Sequence, residues 1–61
     1  MNKLLRIRQV VDRTGLSRTM VYHEMKRGAF PRNLKIGRRA AAWAEADVDR
    51  WIADRLAERE G

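Results

Sequence analysis

Apolar and polar residues alternate along this chain in three rhythms. Ile7, Val10 and Val11 recur at helical spacing, which suits a helix over Arg8 to Arg13 of fewer than two turns, although Arg8 is a poor N-cap. The preceding Leu4-Leu5-Arg6-Ile7 is either a very short strand or an apolar lead-in to that helix, after a loose start at Met1 to Lys3. From Ser17 to Arg27 the helical rhythm returns: Val21 and Met25 share one side with Met20 and Glu24 flanking, and Thr19, Tyr22, His23 and Lys26 fall opposite. Leu34-Lys35-Ile36 and Ala41 to Trp43 alternate in twos about Gly37-Arg38-Arg39, the pattern of a hairpin whose Leu34, Ile36, Ala41 and Trp43 press on the helices. Over Glu45 to Glu60, Val48, Trp51, Ile52 and Leu56 form a helical stripe among charges, predicting an amphipathic closing helix.

The punctuation between these segments fixes how they connect. Gly15 can take positive φ without a steric penalty, so it ends the first helix and swings the chain into the second. Ser17 is the N-cap of that second helix, its hydroxyl placed to accept from a backbone N–H near Met20. Gly28 ends the helix, and Pro31 keeps it from resuming while Phe30 packs back under Met25. A first helix so short is unstable alone and must lean on the helix after Gly15. The pieces make a small, mainly helical α+β domain over residues 1–61: a winged helix-turn-helix with three helices and a short β-hairpin wing.

Charge changes the picture more than composition does. Residues 1–39 carry eleven Lys/Arg against Asp12 and Glu24, whereas residues 40–61 carry three Arg against six acids. The net charge of +6 is therefore confined to the first two-thirds, as in proteins that turn one face to nucleic-acid phosphate. The absence of cysteine excludes disulfides, thiolate nucleophiles and Cys-ligated zinc and suits a cytoplasmic setting. The longest apolar run, Ala40 to Trp43, is too short for a membrane span, and no signal-peptide core is present.

The order Leu4-Leu5-Arg6, Thr14-Gly15-Leu16-Ser17-Arg18, Val21-Tyr22, Gly28-Ala29-Phe30-Pro31, Lys35-Ile36-Gly37 with Arg39, Trp43, and Val48 with Trp51-Ile52 resembles the AlpA-like prophage regulators. These are small winged helix-turn-helix proteins related to phage excisionases and to the DNA-binding domain of MerR-type regulators. The resemblance covers nearly the whole chain. It implies a recognition helix in the major groove, a wing over the adjacent backbone or minor groove, and control of prophage genes or excision. Two positions depart from the family pattern. Glu24 stands where an apolar residue is common, implying an intrahelical or wing-directed ion pair, and Ala40-Ala41-Ala42 lightens the returning wing strand. The chain ends after its closing helix, without an effector domain or long dimerisation helix, so no small-molecule ligand is expected.

Catalytic and metal motifs fail on inspection. Thr19 stands where a nucleophile elbow after Gly15-Leu16-Ser17 needs its second glycine, and Arg27 where His23-Glu24 would need a second histidine for zinc. Asp47 and Asp49 lack the rest of a calcium loop. No catalytic residue, cofactor or metal site is expected. Trp43 and Trp51 fall on apolar sides and read as core rather than as stacking platforms for single strands.

The expected partner is double-stranded DNA. Recognition falls to Arg18, Thr19, Tyr22, His23 and Lys26, and phosphate clamping to Arg27, Arg38, Arg39 and the Ser17-capped helix start. Tyr22 either bonds a phosphate or base or lies across the core edge; His23 either touches DNA or lies near it. So small a contact area calls for self-association on tandem or inverted half-sites. The rival readings are an excisionase that bends DNA for an integrase, and an antirepressor binding protein through the closing helix. An apolar patch left exposed on that helix would favour the antirepressor.

Overall fold

The computed structural model describes residues 3–60, Glu60 through its backbone alone; the loose start expected at Met1 and Asn2 lies outside them. In chain order the elements are β1 (Leu4–Leu5), α1 (Ile7–Thr14), α2 (Arg18–Lys26), β2 (Leu34–Lys35), β3 (Ala41–Ala44) and α3 (Glu45–Glu60). The three strands form an antiparallel sheet in the order β1-β3-β2, so β3 is central. Leu4 pairs with Ala44 and Leu5 with Trp43, while Leu34 pairs with Ala42 and Lys35 with Ala41. Three helices with a small antiparallel sheet are the architecture of a winged helix-turn-helix, as the sequence pattern predicts. Leu4-Leu5 resolves as a strand, giving the hairpin a third member.

Helix α1 begins at Ile7, earlier than Arg8, because its cap lies at Arg6. Arginine carries donors only and cannot accept a capping bond; Gln9 instead reaches back, its Oε1 accepting from the Arg6 N–H at 2.9 Å. At the other end Gly15 adopts φ 79° and its N–H donates to the Val11 carbonyl, turning the chain toward α2. Ser17 accepts from the Met20 N–H at 3.1 Å, as its position predicts. Helix α2 closes with a Schellman arrangement: Gly28, at φ 79°, donates to the Met25 carbonyl and Ala29 donates to that of Glu24.

The core is built from one or two residues of nearly every element: Leu5, Val10, Val21, Phe30, Trp43 and Val48 are buried together. Each buried valine contributes about 1.5–3 kcal/mol over exposure, so the helices are held mainly by this shared cluster. Trp43 is fully buried, and its Nε1–H donates to the Pro31 carbonyl at 3.1 Å. Trp51 is half-buried, donates to the Ala29 carbonyl at 2.8 Å and meets Phe30 edge-on with ring centroids 5.0 Å apart. Helix α3 follows β3 without a linker, and the Glu45 N–H donates to the Lys3 carbonyl at 2.8 Å.

Two expectations of packing are corrected. Leu34 and Ile36 are 51% and 47% exposed, so they do not press on the helices as Trp43 does, whereas Ala41 is half-buried on the same face of β3 as Trp43. Register accounts for Leu34: it pairs with Ala42, one step out of phase with Trp43, so Leu34 and Trp43 lie on opposite faces of the sheet, although Ala42 itself is fully buried. Leu56 is 52% exposed because α3 outruns the core, and residues 53–59 are all exposed. Ala53 and Ala57 are exposed beside it, and Ile52 is half-buried.

Candidate nucleic-acid interface

Ser17, Arg18 and Thr19 occupy the N-terminus of α2, all exposed. That end presents unpaired backbone N–H groups and the positive pole of the helix, a favourable setting for a phosphate. One turn on, Tyr22 is 39% exposed, with its ring edge-on to Trp43 at 5.9 Å and the Arg18 guanidinium 6.0 Å from its centroid. Both readings of Tyr22 thus hold in part, since the ring rests on the core while a substantial share of the side chain faces solvent.

Beside α2 lie two open clefts. The first, about 330 Å³, is lined by Tyr22, Met25, Lys26, Arg32 and Asn33. The second, about 270 Å³, runs along the wing past Lys35, Arg38 and Arg39 over Ala40 and Ala41, and shares Tyr22 and Asn33 with the first. The structure therefore brings Tyr22, Lys26, Arg38 and Arg39 around neighbouring hollows. Arg32, Asn33 and Lys35 line them too and were not expected in the site. Their sequence signal was weak, because they sit between helix and hairpin where no periodicity assigns a face.

His23 and Arg27 point to a different neighbour. Arg27 Nη1 donates to both oxygens of Glu24, at 3.1 and 3.0 Å, and His23 Nε2 lies 3.9 Å from the same carboxylate. Of the alternatives open for Glu24, the pair is intrahelical. Arg27 keeps a 61% exposed side chain, so it can also reach an external anion.

A second set of charges lies away from the clefts. Arg13, at the end of α1, reaches Asp49 at 2.9 Å and Glu45 at 3.1 Å on the first turns of α3. The hydrogen bond to Asp49 is the main cause holding this guanidinium above its ordinary pKa, with the charges of Asp49 and Glu45 adding to it and desolvation opposing it. This tie joins residues 36 positions apart, which no local spacing in the sequence signals. Among the described residues no group of three potential His, Cys, Asp or Glu metal ligands gathers, and no helix is long and apolar enough to cross a membrane.

Two known proteins resemble the chain over most of its length. ORF88 of Enterobacteria phage P4 is 35% identical over 57 residues, covering 93% of this chain and 65% of that protein's length. The DNA-binding transcriptional activator AlpA of Escherichia coli K12 is 27% identical over 59 residues, covering 87% of this chain and 84% of its own. No solved structure matches the chain. The family described as prophage CP4-57 regulatory protein (AlpA) matches residues 3–56, from the first strand through most of α3, and the chain belongs to this family of prophage regulators.

Proposed function

We propose that this chain is a sequence-specific double-stranded DNA-binding regulator of transcription of phage or prophage type, one winged helix-turn-helix domain acting in the cytoplasm at the nucleoid. The carrying observation is the Ser17-capped, solvent-facing α2 set beside a wing whose hollows are lined by cations. A relative named as a DNA-binding transcriptional activator supports the same reading. Helix α2 enters the major groove, with Arg18, Thr19, Tyr22, His23 and Lys26 toward the bases. Arg27, Arg38, Arg39 and the helix start at Ser17 hold phosphate. Arg27 exchanges its Glu24 partner for phosphate on binding. A single module of this size buries too little surface for a unique tight site, so two copies occupy tandem or inverted half-sites.

Arg18 is the residue placed to read a base. Residues near the start of a recognition helix enter the groove most deeply, and the planar arginine fork bonds both guanine acceptors at once. Arg18→Ala should cost about 1–3 kcal/mol on the preferred site and much less on random duplex. Selection from a randomised DNA pool tests this. A variant returning the wild-type preferred sequence would refute direct readout by Arg18, and a wild-type protein selecting nothing would refute the function.

A further inference from the structure

The two clefts beside α2 share part of their lining, and we take them together as one channel. They meet at Tyr22 and Asn33, the residues common to both linings, with Lys26 and Arg32 on one side and Lys35, Arg38 and Arg39 on the other. No acidic side chain lines either half. By contrast, Arg13, Arg27 and Arg55 each sit within 3.3 Å of a carboxylate oxygen. Five cations lining the two clefts with no acidic residue in either lining leave positive potential for an external anion, and their spread over two adjoining clefts favours a repeating anion over a compact one.

We propose that this channel holds one strand of the sugar–phosphate backbone of duplex DNA, with Arg32 and Lys35 meeting successive phosphates and Tyr22 and Asn33 gripping the phosphate at the saddle. This rests on the DNA-binding reading and deepens it, adding Arg32, Asn33 and Lys35 to the binding residues. Tyr22 suits the saddle because its ring is braced edge-on against the buried Trp43, which fixes where its hydroxyl stands. Asn33 is half-buried and carries two amide donors. The strand so held passes between the recognition helix and the wing, which ties the position of one element on the duplex to that of the other.

The test is the salt dependence of binding to a labelled duplex, preferred or random. Each lost phosphate contact lowers the magnitude of the log–log slope by about 0.9. The double variant Arg32→Ala/Lys35→Ala should therefore lose nearly two units on both duplexes, while Arg50→Ala, on the exposed side of α3, should lose none. Tyr22→Phe should weaken binding on the order of tenfold with the slope unchanged, since it removes a hydrogen bond to a charged group and no charge. Inorganic phosphate at matched ionic strength should not compete. Circular dichroism establishes that each variant is folded. A wild-type slope in the double variant, with Arg18→Ala still selectively impaired on the preferred site, would overturn the channel and leave the DNA reading standing. A wild-type protein that bound neither duplex would overturn the DNA reading itself, and competition by inorganic phosphate would make the channel a small-anion site.

Discussion

Trp51 is only half-buried, yet three separate interactions converge on it. Its indole N–H bonds the Ala29 carbonyl, its face receives the Arg55 guanidinium at 5.1 Å, and its edge meets Phe30. The ring thereby joins α3 to the segment that closes α2. Trp51→Ala should cost about 3 kcal/mol, the low end for a tryptophan because part of the ring is already solvated. In so small a domain that is a large share of the total, and urea titration should show a largely unfolded protein. A Trp51→Ala protein with full native circular dichroism but no DNA binding would instead make the ring a contact residue. Trp51→Phe should be milder, about 1 kcal/mol, since it chiefly strands the Ala29 carbonyl.

At the scale of elements, local signals and long-range pairings separate cleanly. The turn at Gly15, the Ser17 cap and the positive φ at Gly28 were legible because each is decided by one or two neighbouring residues. The pairing of Leu4-Leu5 with β3 was not, because two residues carry no periodicity and their partners lie some forty positions away. Leu34 and Ile36 show the limit of alternation as a signal: it predicts that residues share a face without saying which face the helices cover. The candidate site divides the same way, its α2 residues being readable from helical spacing and Arg32, Asn33 and Lys35 emerging only once the wing is folded back. Two predictions belong here. Ser17→Ala should lower stability by about 1 kcal/mol, read by urea titration, because the Met20 N–H loses its acceptor at the start of a nine-residue helix. Arg38→Ala at the wing tip should weaken binding to preferred and random DNA alike and reduce the salt slope by about one unit; an unchanged slope would remove this arginine from the phosphate contacts.

The whole molecule measures 41 × 28 × 19 Å, with a radius of gyration of 11.6 Å against about 10.5 Å for a compact chain of this length. The excess comes from α3, whose last turns project beyond the core. Its base is fixed to α1 by Arg13, whose two acidic partners consume a cation away from the clefts. Arg13→Ala should lower the melting temperature slightly at low salt and not at high salt, because exposed ion pairs are screened; an equal loss at both would point to packing by the arginine stem. The contact between Tyr22 and Trp43 has an optical consequence. Trp43 is sealed from solvent yet touches α2 through Tyr22, whereas Trp51 lies on α3 beside Arg55. The protein thus carries two intrinsic fluorophores at different distances from the proposed DNA-binding face. In a Trp51→Phe background, emission from Trp43 should stay blue-shifted throughout a DNA titration and change in intensity as Tyr22 is engaged, giving a label-free reading of occupancy at the recognition helix.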